Sequence, residues 1–430
     1  TEEEAVPELV RQFYKAAIRK WDELKVGNGS SLATFLVLLA VLLLPLALGQ
    51  DAGTNADGSQ TPPNAFGLEV DPRQSALEPV APVAKAQIGL LYYTLWLSII
   101  VIVGVGGAIL YSIIKFRRKE GDDTIPEQSH GNPALELGLI LVAVVLTVAV
   151  AIPAMRVHFR YDTTIEATDA DLVINVTGYQ WWWKFEYPQY GITTANELYV
   201  PKDKRIIVNL KSADVLHSFW MPRLVGKMDL IPNQNNSFWF TTEGAPPMVY
   251  RGQCAELCLG AHAYMRFRVI VNEQANFDQW VTDFQAAEQV NADTGLSLQP
   301  QLVQADPDIE LGKALFKTKG CAACHAIGGY AVGQTDKPNL TNYGLRTSIA
   351  ASVLDMSEDN LTRWIAYPDQ VKPGNYMPNL WVEGSEAIET EPRLIAKYLM
   401  SLGREDATVS STEPVLELQP IASLGGRNGN

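Results

Sequence analysis

The sequence predicts a multidomain membrane protein: a transmembrane helical hairpin with an extra N-terminal helix, then a Greek-key β-barrel or sandwich, then an all-α domain. Three observations predict it. Two uncharged apolar runs, residues 88–114 and 137–155, are each long enough to cross the roughly 30 Å hydrocarbon core of a bilayer. After residue 160 the texture changes to short β-rich runs separated by Gly, Pro and Asn. From about residue 308 it changes again, to short helical patterns around Cys321-Ala-Ala-Cys324-His325.

Composition agrees with soluble domains on an anchor. The chain has 430 residues, too many for one ordinary domain, and its 47% apolar content falls between a soluble enzyme and a polytopic membrane protein. Its 34 basic and 48 acidic residues give a net charge of -14, which excludes a phosphate-tracking surface, so nucleic acid is not a partner.

The elements follow in order. Residues 1–50 hold an amphipathic helix and a Leu-rich run at 32–48. Leu9, Val10, Phe13, Ala17, Trp21 and Leu24 recur at helical spacing opposite Arg11, Lys15, Arg19 and Lys20, as in a helix lying on a membrane surface or packing on a partner subunit. The run at 32–48 reads as an uncleaved third span, or as a secretory signal ending at Ala47-Leu48-Gly49. Residues 51–86, rich in Gly, Pro, Asn, Asp and Ala, form an external loop. The hairpin occupies 87–160. Lys115, Arg117, Arg118 and Lys119 close its first span and mark the cytoplasmic side, so both ends lie outside.

The β-domain spans 161–272, with strands expected at 172–177, 181–187, 205–210, 237–241 and 265–271. A polar, Gln- and Ala-rich linker runs from 273 to 307. The helical domain occupies 308–403, with helices at 309–317, 357–366 and 391–401, and residues 404–430 form an extended tail.

The four cysteines fall in two tight pairs with histidines beside them, an arrangement that points to metal or cofactor ligation rather than crosslinking. Cys254-Ala-Glu256-Leu-Cys258-Leu-Gly-Ala-His262-Ala-Tyr-Met265, with His217 upstream, offers two thiolates, two imidazoles and a thioether. Thiolate and thioether are soft ligands that select copper or iron–sulfur. Two thiolates can also bridge a pair of metal ions, so that one electron is shared across both. A structural zinc site of two Cys and two His, or a Cys254–Cys258 disulfide, remain as alternatives.

Cys321-Ala-Ala-Cys324-His325 has the form of a c-type haem attachment, in which two thiols add to the vinyl groups and the histidine becomes an axial ligand. The histidines left over, His130 and His158, lie beside the spans, so the sixth ligand is sought among Met356, Met377 and Met400. Met377 lies about 50 residues after His325 on a proline-bounded loop. Met356 and Met400 read as core. Covalent haem attachment takes place outside the cytoplasmic membrane, in agreement with the positive-inside reading.

Residues 80–275 resemble the CuA subunit family, cytochrome c oxidase subunit II, which places a cupredoxin-like barrel behind a two-helix hairpin. The resemblance implies that His217, Cys254, Cys258, His262 and Met265 ligate two coppers, with Glu256 adding its backbone carbonyl and its carboxylate reaching a Mg²⁺ ion at the interface with the catalytic subunit. It makes Trp181, first of three tryptophans, the residue that receives electrons, and leaves Trp182 and Trp183 to packing. It sets Glu136 at the mouth of a proton channel, where a plain interfacial carboxylate is the other reading, and the family's Trp-Thr after that Glu is missing here.

The C-terminal domain resembles class I cytochrome c, with Gly312, Leu315 and Phe316 on its first helix and Tyr398 and Leu399 on its last. Together these imply the electron-input subunit of a caa3-type oxidase in a bacterial cytoplasmic membrane, with both soluble domains on the outer face. Electrons would pass from an upstream donor, a soluble cytochrome c or another respiratory complex, to the haem and CuA, and then to a haem–copper subunit I that reduces O₂ and pumps protons. The competing readings are a CuA-containing nitric oxide reductase subunit and a copper carrier module.

Overall fold

In the computed structural model, residues 72–118, 121, 125, 131–161, 168, 171–294, 306–328 and 330–403 are described. The expected N-terminal helix, the run at 32–48, most of the external loop and the tail lie outside them.

Two helices, α1 (Pro82–Lys115) and α2 (Pro133–Tyr161), are long and apolar enough to cross a membrane. Both begin at proline, whose missing N–H costs nothing in a first turn. The Asn132 side chain caps α2, accepting from the backbone of Ala134 and Leu135 at 3.1 and 3.2 Å. Their large apolar side chains face outward, as lipid requires. The hydroxyls of Thr94, Ser98, Ser112 and Thr147 fold back onto carbonyls one turn earlier, so these four donors are not presented bare to hydrocarbon. Tyr93 reaches across the hairpin to the Ala149 carbonyl at 3.0 Å.

The second unit contains both soluble domains. Ten strands form two five-stranded sheets, ordered β3-β2-β1-β5-β8 and β4-β10-β9-β6-β7. In chain order these are β1 (Leu172–Tyr179), β2 (Trp182–Tyr187), β3 (Ile192–Ala195), β4 (Glu197–Pro201), β5 (Arg205–Ser212), β6 (His217–Met221), β7 (Val225–Leu230), β8 (Asn236–Thr241), β9 (Val249–Cys254) and β10 (Arg266–Asn272). Pairing is antiparallel except for β1 with β5 and β4 with β10. This is the cupredoxin-like architecture. The five expected strands are β1, β2, β5, β8 and β10; Trp181 stands just before β2 and Met265 just before β10.

Inward-facing aromatics fill the sandwich. Phe219 and Phe267 stack at 4.4 Å, and Trp183 meets both edge-on at 5.3 and 5.5 Å; such pairs contribute about 0.5–1.5 kcal/mol each beyond their buried area. Gly252 on β9 makes room, since a Cβ there would lie 2.1 Å from the Phe267 ring.

The stretch read as a linker differs from expectation, being helical over α3 (Gln274–Thr294). Phe277, Val281 and Phe284 recur at three- and four-residue spacing and are buried in the barrel's own core, while Trp280 stacks on Tyr199 at 4.4 Å. A narrow apolar stripe in a polar composition is enough once the barrel offers a surface for it.

In the C-terminal domain, α4 (Pro307–Thr318), α5 (Glu358–Ala366) and α6 (Glu386–Ser401) surround a second core, with a short hairpin of β11 (Ser348–Ile349) and β12 (Leu354–Asp355) between α4 and α5. Asp306 and Ser357 cap α4 and α5. Gly312 lets α4 and α6 cross closely, because a Cβ there would lie 2.0 Å from the Leu394 carbonyl. Helix α6 starts five residues before the expected 391, with Pro392 inside it.

Phe277→Ala is expected to cost about 3–5 kcal/mol, by the usual cost of truncating a buried phenylalanine. Denaturant unfolding of the full chain followed by tryptophan fluorescence checks it; a loss under 1 kcal/mol would show that α3 is not part of the barrel core.

Candidate metal centre and haem cavity

His217 opens β6, and Cys254 ends β9 beside it, the register pairing Phe219 with Cys254. The loop from Cys254 to Met265 closes on itself, because the Cys254 N–H donates to the Met265 carbonyl at 2.9 Å. All five predicted side-chain ligands converge there. The two sulfurs are 3.9 Å apart and both thiols are free. His217 Nδ1 lies 4.0 Å and the Glu256 carbonyl 3.2 Å from Cys254 Sγ, while His262 Nδ1 and Met265 Sδ lie 3.5 and 3.7 Å from Cys258 Sγ.

The ligand atoms of His217, Cys254 and Cys258 all fall within 4.8 Å of one another. Six donors in all, two of them the cysteine sulfurs, exceed what one tetrahedral zinc uses and suit a pair of soft ions.

Proton chemistry at the cluster is shared. Proton sharing with Cys258 pulls the Cys254 thiol well below its usual range against the cost of burial, with His217 and backbone bonds assisting. Burial disfavours a charged His217, but the Asp214 carboxylate and Cys254 outweigh it and raise the imidazole above its usual range. Metal binding therefore displaces protons already held in place.

Several positioning groups escaped the sequence reading. Asp214 accepts from His217 Nε2 at 2.7 Å and turns Nδ1 toward the sulfurs. The Cys258 carbonyl receives Gln180 Nε2 at 2.9 Å and Trp181 Nε1 at 3.0 Å. Lys372 donates to the Trp181 carbonyl at 2.6 Å, and burial pushes this lysine down to about 7.

A cavity in the helical domain brings together Cys321, Cys324, His325 and Met377. Met356 and Met400 belong to the domain's core and do not line it. His325 Nδ1 donates to the Pro338 carbonyl at 2.9 Å, leaving Nε2 as the free lone pair, and burial holds the imidazole below its usual range and hence neutral. Phe316, Leu361, Trp364 and Leu399 give the cavity apolar walls that fit a macrocycle.

Trp181 and Trp182 of the barrel line the same cavity. Trp181 packs against Tyr376 at 4.5 Å; Trp182 stacks on Tyr179 at 4.6 Å and donates to the Asp336 carbonyl at 3.3 Å. Trp183 is fully buried in the barrel core. Glu256 is half-buried on the metal loop, and Glu136 sits exposed in the first turn of α2.

Residues 191–273 match the family described as cytochrome c oxidase subunit II, periplasmic domain, and residues 309–403 match cytochrome c. The chain is 38% identical over 335 residues to cytochrome c oxidase subunit 2 of Alkalihalophilus pseudofirmus, covering 76% of this chain and 90% of that one. It is 34% identical over 345 residues to the subunit 2 of Bacillus sp. strain PS3, covering 77% and 92%. It is 33% identical over 349 residues to that of Bacillus subtilis, covering 78% and 93%. The two families imply copper of the CuA kind in the barrel and haem c in the helical domain.

Asp214→Asn is expected to weaken copper binding about 10–100-fold, the usual effect of removing a group that orients a metal-bound histidine. Competition titration of the copper-loaded protein against a chelator checks it, and unchanged affinity would remove Asp214 from the site.

Proposed function

Since the chain belongs to the cytochrome c oxidase subunit II family and carries a cytochrome c domain behind the oxidase one, we propose that it is the electron-input subunit of a caa3-type oxidase. It passes electrons from its own haem c to a binuclear copper centre and on to a catalytic subunit that reduces O₂ to water and pumps protons. The observation that carries this reading is the position of Trp181. Its indole N–H bonds the carbonyl of Cys258 while its ring lines the cavity of His325 and Met377. The relatives' names favour O₂ over nitric oxide, and a haem motif behind the metal site argues against a copper carrier.

In this reading Cys321 and Cys324 would hold a haem through thioether links, with His325 and Met377 as its iron ligands. His217, Cys254, Cys258, His262, Met265 and the Glu256 carbonyl would hold two copper ions. When bound, the haem would supply one one-electron carrier and the copper pair another. The chain's own residues keep these sites rigid and dry. Asp214 and the Pro338 carbonyl fix the rings of His217 and His325, and the apolar walls exclude water.

The Glu256 carboxylate would hold Mg²⁺ at the interface with the catalytic subunit, and Glu136 would mark a proton-channel mouth in that partner. The hairpin spans a bacterial cytoplasmic membrane with its basic turn inside and both domains on the outer face, where a soluble cytochrome c or another respiratory complex delivers electrons.

Optical and EPR spectroscopy of the full chain, produced with haem maturation and copper, tests the reading. The wild type is expected to show a low-spin c-type spectrum together with a mixed-valence two-copper signal. Cys258→Ser should lose the copper signal and keep the haem spectrum, and Met377→Ala should do the reverse, perturbing the haem alone. A wild type with haem but no two-copper signal overturns the proposal.

A further inference from the structure

We propose that the cytochrome c domain is latched onto the copper barrel as a fixed part of the electron path, rather than a tethered carrier that docks and leaves. The inference rests on the electron-transfer reading above. The latch is the segment 347–355, which contains the β11–β12 hairpin. Glu197 on β4 is 1% exposed and accepts hydrogen bonds from Thr347 N at 2.8 Å, Thr347 Oγ1 at 3.0 Å and Ser348 Oγ at 2.6 Å. Its own barrel contributes the Tyr199 hydroxyl at 3.3 Å. Arg268, from the neighbouring strand β10, donates to the Thr347 carbonyl at 2.9 Å and pairs with Asp355. A carboxylate and a guanidinium are thus buried with partners supplied mostly by the seated domain, an arrangement that selects one register of docking.

The backbone of the latch agrees. Ala350, Ala351 and Ser352 hold φ values of 55°, 62° and 61°, three non-glycine residues in succession in the left-handed region. Such a run persists only where its surroundings enforce it. The barrel does so: Ser352 Oγ donates to the Asn196 carbonyl at 3.3 Å, and Arg251 reaches the Ser352 carbonyl at 3.4 Å.

A second contact joins the two ligand loops themselves. Lys372, 5% exposed, donates to the Trp181 carbonyl at 2.6 Å, five residues before Met377. Beside it, a Cβ on Gly260 of the metal loop would lie 2.9 Å from the Gly374 carbonyl, so backbone meets backbone there. Because Trp181 and Trp182 are walls of the haem cavity, a domain that swung away would open that cavity to water.

The test follows haem-to-copper transfer in the complete oxidase after rapid photoreduction of the haem, with hydrogen exchange of residues 347–355 as a readout independent of activity. In the wild type the transfer rate should be unchanged by salt and by severalfold higher viscosity, and the latch amides should be protected. Glu197→Gln combined with Asp355→Ala should slow transfer at least tenfold, make it viscosity-dependent and deprotect the latch, with both optical spectra intact.

A wild-type rate that falls with viscosity, or an unprotected wild-type latch, overturns the proposal; so does a double variant that transfers like wild type. If the double variant loses either centre, Lys372→Met takes its place with the same expectation, and the wild-type measurements already decide. A wild type with a protected latch and no electron on copper would instead sink the functional reading and leave the docking standing.

Discussion

The backbone bond from the Cys254 N–H to the Met265 carbonyl is the closure on which the metal centre depends. Two thiols four residues apart stay about 4 Å from each other only if the chain between them cannot breathe, and the ladder of β9 with β10 pins both ends of the loop. The third strand of the same sheet brings His217 to the sulfurs, through the Phe219–Cys254 register. A slip of one residue would turn Cys254 to the other face of the sheet. What prevents the slip lies behind the site, where the stacked Phe219 and Phe267 and the edge-on Trp183 fill a core that has room because residue 252 is glycine. Aromatic packing is thereby converted into metal geometry.

Polar groups around the centre have a different task from the core. Gln180 and Trp181 share the Cys258 carbonyl, Asp214 holds both the His217 ring and the Gln180 N–H, and Lys372 holds the Trp181 carbonyl. Each is an ordinary hydrogen bond worth on the order of 1 kcal/mol net. Their value lies in sharing partners. Moving any one of Gln180, Trp181 or His217 disturbs a group that touches the metal loop. Buried charges such as Glu197, Arg268 and Lys372 add little stability, since desolvation offsets most of their attraction. They forbid alternative arrangements, which is what a fixed distance between two redox sites needs.

Much of this was legible in the sequence where rare residue types coincide with local spacing. Cysteine, histidine and methionine within a dozen residues identify a soft-metal loop without knowledge of the fold, and Cys-x-x-Cys-His does the same for haem. Met377 was separable from Met356 and Met400 because its loop is irregular while theirs have apolar periodicity. The strands rich in Val, Ile and aromatics were equally plain. Those that went unseen follow a different rule. Strand β7 carries Lys227 and Asp229, and β6 reads as a metal motif before it reads as a strand. In β4, the buried Glu197 looks like a solvent residue until its partners from the other domain are seen. Asp214, Gln180 and Lys372 were invisible for a related reason, being common polar residues whose roles arise only when distant segments meet. Pro392 moved the expected start of α6 too late, since proline in a second helical turn is usually a stop.

The connector shows how local structure changes the physics inferred. Taken as a linker of some 35 residues, it sets a local concentration in the mM range and makes encounter between the domains the natural picture. With α3 folded onto the barrel through Phe277, Val281 and Phe284, only eleven residues, 295–305, separate its end from the Asp306 cap of α4. Fully extended, that length spans no more than about 40 Å. A short link of this kind contributes little to delivery once the domain is seated, because a bound domain has no search to shorten.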